Sequence, residues 1–244
     1  MPPRIEVLDD ASALADAAAR EVVRAGRSAL AERGEFRLVL AGGRTPEATY
    51  RRLSGEEIRG EPFWARTAVF WGDERCVPPD DPQSNYGRAA ASLLSRLSRP
   101  PAAVHRIRGE RGAEPAAAEY DALLRESSGD PPRFDLVLLG MGADGHTASL
   151  FPGGSPADFP PDALAIPALA PAPPRERVTM TPRALGGGRE ILFLVQGRAK
   201  AEAVATVLGP GRHASAPVLP AGSIEARDGA VTWLLDREAA SRLA

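Results

Sequence analysis

From Phe134 to His146 the chain reads Phe-Asp-Leu-Val-Leu-Leu-Gly-Met-Gly-Ala-Asp-Gly-His, an apolar run that gives way to three glycines, an acid and a histidine. Glycine lets a backbone turn tightly and approach a ligand closely. Asp144 and His146 fall in the same turn, so a carboxylate can fix the tautomer of a neutral imidazole, which then suits proton abstraction near pH 7. His146 is one of three histidines, with His105 and His213. A lone histidine is more often structural than catalytic, but the glycine turn and the neighbouring acid favour chemistry at this one.

Three further segments have residue types suited to an anionic ligand. Gly42, Gly43, Arg44 and Thr45 precede Pro46. Proline is well tolerated at a helix start, so this turn offers free amides, a hydroxyl, a guanidinium and the positive end of a helix dipole as a phosphate cradle. An ordinary strand-to-helix turn is the plain alternative. Asp73, Glu74 and Arg75 crowd charge at the end of another apolar run. Arg75 suits bidentate phosphate contact and Asp73 suits sugar hydroxyls, although a solvated ion-paired loop has the same composition. Lys200, in Gln196-Gly-Arg-Ala-Lys, falls in the first turn of a predicted helix, where the dipole disfavours a cation unless an anion is present. A surface lysine is the bland reading, and Arg198 could play the same part.

Other chemistries find little support. Gly140, Gly142 and Gly145 match a dinucleotide fingerprint, but Pro152 interrupts the helix that such a site requires, and Asp144 would repel a pyrophosphate. There is no G-x-S-x-G elbow and no Walker lysine after the double glycine. The scattered histidines and the absence of C-x-x-C or H-E-x-x-H argue against a metal. Cys76 follows Arg75 but reads as a semi-buried filler, and a single cysteine excludes an internal disulfide and suits a reducing compartment. A net charge of -2 gives no general affinity for nucleic acid or anionic membrane. No apolar run reaches transmembrane length and no signal-peptide core is present, so a cytoplasmic protein is expected. No apolar stripe marks an obligate protein partner.

These residues need a scaffold. Asp9 or Asp10 caps a predicted helix that runs to about Arg33 and stops at Gly34. Strands are expected at Phe36–Ala41, Thr67–Trp71, Val104–Ile107, from Phe134, at Arg177–Thr181, Glu190–Gln196 and Val231–Leu235. Helices are expected from Pro46, over Ser84–Leu97 and Glu114–Glu126, and from Gly197 to Leu208. Eight prolines between Pro152 and Pro174 predict an extended loop with a short strand near Ala163–Ile166. Alternation of this kind implies one α/β domain over residues 1–244, a mainly parallel, Rossmann-like sheet with helices on both faces. Segments 42–46, 72–75, 140–146 and 196–200 each follow a strand's C-terminal end, where open α/β sheets bind ligands.

Taken together, the segments resemble the 6-phosphogluconolactonase family, within the wider group of glucosamine-6-phosphate isomerases. The matching pieces are Ala41 to Pro46, Phe70 to Val77 with Ser84 and Asn85, Asp135 to Pro152, Arg177 to Thr181 and Gln196 to Lys200, in that order over nearly the whole chain. The resemblance implies hydrolysis of 6-phospho-D-glucono-1,5-lactone without metal or organic cofactor. His146 would be general base and Asp144 its orienter. Arg75 and Lys200 would clamp the phosphate with Arg44, Thr45 and the Gly43 amides, and Asp73 and Arg177 would contact sugar hydroxyls or C1 oxygens. Position 44 departs from the serine of many relatives. Deaminases of the group place a further glutamate shortly after the histidine, whereas Thr147 to Pro152 contains no acid. Sugar-phosphate-sensing regulators share the sheet but normally add a DNA-binding helix-turn-helix, for which this chain has no residues left.

Overall fold

The computed structural model describes residues 2–153, 159–209 and 219–243. A short strand, β1 (Arg4–Leu8), leads into α1 (Ala11–Arg33). The ends of α1 are those the sequence marks: Asp10 accepts from the Ala13 amide at 2.8 Å, and Gly34 closes the helix at φ 74°. Then come β2 (Phe36–Leu40), α2 (Arg44–Leu53), β3 (Thr67–Trp71), β4 (Asp73–Arg75), α3 (Asn85–Ser92), β5 (Ala103–His105), α4 (Ala113–Ser128) and β6 (Phe134–Gly140). The chain continues through β7 (Ala165–Leu169), β8 (Glu176–Met180), α5 (Pro182–Leu185), β9 (Gly188–Val195), α6 (Ala201–Leu208) and β10 (Ala230–Asp236).

Seven strands form one parallel sheet in the order β1-β10-β9-β6-β2-β3-β5. Its central strands are mostly apolar because helices cover both faces, with Arg37 in β2 and Asp135 in β6 the charged exceptions. Every residue of β6 before Gly140 is buried. Phe36, Leu38, Val69, Phe70, Trp71 and Phe134 are fully excluded from water, each contributing roughly 1.5–3 kcal/mol by burial. Phe193 and Trp233, register partners on β9 and β10, stack with ring centroids 3.8 Å apart.

The order of strands reverses between β2 and β6. From β2 the chain moves outward to β3 and β5; from β6 it moves the other way to β9, β10 and, in space, β1. The crevice at a switch point is where such sheets accept ligands. Here it opens between the residues that follow Leu40 and those that follow Leu139.

A second sheet, antiparallel in the order β4-β8-β7, stands beside the first. The Arg177–Thr181 strand lies in this sheet rather than in the parallel one, paired with Asp73–Arg75, a segment whose three charges give no strand pattern. The short strand in the proline-rich tract is its third member; residues 154–158 of that tract lie outside the described residues. Several boundaries also move. The helix expected from Gly197 is a 3-10 turn over Arg198–Lys200 before α6, which puts Lys200 at the N-cap of α6, and β5 ends at His105 rather than Ile107. Helix α2 begins at Arg44, two residues before Pro46, because the first amides of a helix have no intrahelical partner and a proline in that turn removes nothing. Helix α3 ends at Ser92 and continues only as a 3-10 turn over Leu94–Arg96.

Candidate active site

Two buried tyrosines fix the strand ends that feed the crevice. The hydroxyl of Tyr50, on α2, accepts from the Ala41 amide at 3.0 Å and donates to the Ala41 carbonyl at 2.7 Å. Tyr120, on α4, does the same for Trp71, at 2.9 and 3.0 Å. Burial raises the pKa of both hydroxyls, which therefore stay neutral and keep both donor and acceptor capacity. Each tyrosine satisfies backbone groups of a residue just where the ladder stops, so the turns beyond start from fixed points. Neither residue stood out in the sequence, because a buried tyrosine looks like any other core aromatic until its hydroxyl is placed.

All four strand-end segments meet at one cavity of about 270 Å³. Gly42, Gly43, Arg44 and Thr45 form one wall. At Gly42 an added Cβ would stand 2.0 Å from Asn85 Oδ1, so any side chain there would displace Asn85 from its hydrogen bonds to Asp73. Gly43, at φ 106°, is the N-cap of α2 and supplies no side chain to its amides, which leaves the helix start open to an anion.

The turn after β6 supplies the paired Asp144 and His146. The Gly142 amide donates to the His146 carbonyl at 2.8 Å, the Gly145 amide to the Gly142 carbonyl at 3.1 Å, and the Thr147 hydroxyl to the Gly140 carbonyl at 2.8 Å. A Cβ on Gly142 would lie 2.1 Å from His146 Nδ1 and 2.4 Å from Asp144 Oδ1, so this glycine makes the space in which the pair meets. His146 Nδ1 is 2.6 Å from Asp144 Oδ1, which also accepts from the His146 amide at 3.1 Å. A carboxylate accepts only, so the proton sits on Nδ1 and the Nε2 lone pair is left free. Burial pushes the Asp144 carboxyl up, but the His146 amide, charge and ring hydrogen bond outweigh it and hold it below the ordinary range. Phe151 packs against the imidazole with centroids 5.0 Å apart, and Ala148, on the cavity wall, takes a left-handed φ of 48°, a cost of roughly 1–2 kcal/mol for a residue with a Cβ.

Lys200 enters from the fourth segment. Both oxygens of Asp236, at the end of β10, accept from the Gly197 amide at 2.9 and 3.0 Å and so anchor the turn that carries the lysine. Burial lowers the Lys200 pKa; nearby Asp144 opposes the shift and Arg44 adds to it. Lys200 and Arg44 line the same cavity, and Asp144 is near enough to act on the lysine's charge. Arg198 is exposed and does not line the cavity.

Asp73 and Arg75 line the cavity from β4. Asp73 accepts from Asn85 Nδ2 at 3.0 Å and from Ser149 Oγ at 2.7 Å, which ties the antiparallel sheet to α3 and to the His146 turn. Glu74 points to the other side of the strand and accepts the amides of Asn85 and Tyr86, at 2.7 and 2.8 Å, at the start of α3. Arg177 faces Arg75 across the pairing and is not itself part of the cavity wall. The roles of Glu74 and Ser149 were not legible: an acid after a strand and a serine after a histidine acquire partners only in the tertiary fold. Among the described residues no cluster of three histidine, cysteine or acidic side chains is placed to hold a metal. Burial raises the Cys76 thiol pKa to about 11, which makes it a poor nucleophile.

Residues 9–233 match the profile of a family described as glucosamine-6-phosphate isomerases/6-phosphogluconolactonase. The chain is 38% identical over 252 residues to a curated Mycobacterium tuberculosis protein named 6-phosphogluconolactonase, covering 100% of this chain and 99% of that one. The 6-phosphogluconolactonase structure from Trypanosoma brucei superimposes with a TM-score of 0.83 at 31% identity, covering 99% of each chain. A monomeric glucosamine-6-phosphate deaminase aligns with a TM-score of 0.76 at 26% identity, over 98% of this chain and 99% of that one.

Proposed function

Since the chain belongs to the glucosamine-6-phosphate isomerase/6-phosphogluconolactonase family, we propose that it hydrolyses 6-phospho-D-glucono-1,5-lactone to 6-phospho-D-gluconate, with His146 as general base. It is a hydrolase of the oxidative pentose phosphate pathway. The observation that carries the base assignment is the 2.6 Å contact between His146 Nδ1 and Asp144, which leaves Nε2 free inside a cavity lined by cationic groups.

Water attacks C1 while His146 Nε2 takes its proton. The carbonyl electron pair moves onto the C1 oxygen, the tetrahedral intermediate collapses with cleavage of the bond to the ring oxygen, and His146 returns the proton to that leaving oxygen. The carboxylic acid then ionises. Base catalysis of this kind supplies about 10²–10⁴-fold. Asp144 holds the tautomer and offsets the imidazolium charge. The phosphate is held by the Gly43–Arg44–Thr45 turn and Lys200, and this remote binding positions C1 against the water. Arg75 and Arg177 add positive charge from the adjoining antiparallel sheet, beside Asp73. Neither metal nor organic cofactor takes part in this scheme, and the only partner it needs is the phosphorylated lactone. We place the enzyme in the cytoplasm: its single cysteine suits a reducing compartment, and among the described residues no helix is long and apolar enough to cross a membrane.

The test is a coupled assay in which glucose-6-phosphate dehydrogenase generates the lactone and 6-phosphogluconate dehydrogenase reports the product, against a control without the enzyme because the lactone opens spontaneously. Acceleration over that control is expected. No acceleration, with ammonia released from glucosamine 6-phosphate instead, would assign the chain to the deaminase branch. The absence of an acid between Thr147 and Pro152 speaks against that outcome.

A further inference from the structure

Between His146 and Phe151 the chain reverses over two residues. The Leu150 amide donates to the Thr147 carbonyl at 2.9 Å and the Thr147 amide to the Leu150 carbonyl at 3.4 Å. This is an isolated antiparallel bridge with Ala148 and Ser149 as its loop. Two-residue loops that reverse a pair of strands favour a positive φ at their first central position, which is why glycine is common there. Here the residue is Ala148, at φ 48°. A side chain with a Cβ persists in that conformation where its surroundings over-determine it.

The surroundings do so from both sides. Thr147 is fully buried and donates its hydroxyl to the carbonyl of Gly140, the last residue of β6, at 2.8 Å. Ser149, 3% exposed, is held twice: its hydroxyl donates to Asp73 Oδ2 at 2.7 Å and its amide to Thr179 Oγ1 at 3.2 Å. Asp73 and Thr179 are register partners on β4 and β8. The loop is therefore pinned to the parallel sheet at one end and to the antiparallel sheet at the other, with Ala148 caught between.

The reversal returns Phe151 to His146. These two residues flank the Thr147–Leu150 bridge as the next pair outward, and their rings meet with centroids 5.0 Å apart. Burial alone does not immobilise the imidazole, because the His146 side chain is 35% exposed. The contact with Asp144 fixes Nδ1 but leaves the ring free to swing about that one hydrogen bond. An aromatic ring packed against the imidazole restricts the swing, and with it the direction of Nε2. Ser149 is not itself part of the cavity wall, so any influence it has on the chemistry passes through this turn.

We propose that Ser149 is a positioning residue for His146: by pinning the 147–150 reversal to Asp73 and Thr179, it holds Phe151 against the imidazole and so aims Nε2 into the cavity. The effect on rate rests on the lactonase reading above; the effect on the ring does not. A base displaced by about 1 Å costs up to about 10²-fold in rate while the ligand still binds, since the contacts that hold the ligand are elsewhere.

The test pairs kinetics with the NMR resonances of the His146 ring, which lie against Phe151 and report its presence. With three histidines in the chain, His146→Ala identifies those resonances, and Phe151→Leu gives their position without the aromatic neighbour. Ser149→Ala should lower kcat for lactone hydrolysis by about 10- to 100-fold and leave calorimetric binding of 6-phosphogluconate within about twofold. It should also move the His146 resonances towards their position in Phe151→Leu. A serine that only supported the fold would lower the melting temperature and leave the resonances in place. Unmoved resonances would overturn the proposal, and so would a folded variant with kcat within about twofold of the unaltered enzyme. If Ser149→Ala does not fold, Thr179→Val, which removes the acceptor of the Ser149 amide, should change kcat and the resonances in the same directions, and no change there would overturn the proposal. No hydrolysis by the unaltered protein would sink the lactonase reading instead, and the resonances would still decide whether Ser149 places the ring.

Discussion

Asp144 and Glu74 both stand a few residues beyond a buried parallel strand, each next to a group suited to catalysis, yet the fold puts them in opposite conditions. Glu74 is 2% exposed and accepts from the amides of Arg75, Asn85 and Tyr86 and from the Ser84 hydroxyl, which fills the acceptor capacity of a carboxylate. Burial dominates its titration and raises its pKa, with Asp73 adding to the rise and three amides opposing it. Asp144 is half-exposed, and its Oδ1 accepts from both the amide and the imidazole of His146. A carboxylate saturated by backbone amides is a cap; one bonded to a titratable ring on a tight glycine turn is free to stabilise charge that appears during a reaction. The same residue class one turn after a strand thus serves structure or chemistry according to what fills its lone pairs.

His146→Ala breaks the comparison on the reactive side. It should lower kcat by about 10²–10⁴-fold while binding of 6-phosphogluconate and the melting temperature stay close to those of the unaltered protein. Glu74→Ala breaks it on the structural side by leaving the first amides of α3 buried and unpaired. Denaturant unfolding should show a loss of about 3 kcal/mol, and unchanged stability would contradict the cap assignment. Asp144→Asn sharpens the contrast, because an amide cannot offset an imidazolium. Steady-state assays should find kcat reduced about 10- to 100-fold with KM nearly constant; an equal rise in KM would make Asp144 a binding residue. The smallest effect concerns pH. In the proposed scheme the protonated form of Lys200 holds the phosphate, so affinity should be complete below its folded pKa and be lost as pH rises through it. Because burial lowers that pKa, KM should climb by about 5- to 10-fold at a pH below the ordinary lysine range, and Lys200→Gln should flatten the profile.

Much of this was legible in the residues. Strands β2, β3 and β6 are covered on both faces and so read as mostly apolar runs, and Asp10 and Gly34 mark the ends of α1 by their own conformational preferences. Four polar segments placed after strands do meet in one cavity, since parallel topology sends every strand's C-terminal end to the same edge. The antiparallel sheet was not legible. Strand β4 consists of three charged residues and exists because its backbone pairs with β8, a partner remote in sequence, while Glu74 anchors it to α3. Strand β1 has a similar cause: it is five residues long and mostly exposed, so its short alternation of charged and apolar side chains is weak evidence, and its pairing with β10 decides it. The bracket of Asn85, Asp73 and Ser149 joins three separate elements through side-chain hydrogen bonds, which no local preference announces.

The most direct test of the account is lactone hydrolysis by His146→Ala and His146→Gln measured beside calorimetric binding of 6-phosphogluconate to the same samples. The account predicts normal binding with kcat reduced by at least about 10²-fold in both variants, since neither side chain offers a base. Hydrolysis at near-normal kcat in variants that still bind the product would contradict it and remove His146 from the chemistry.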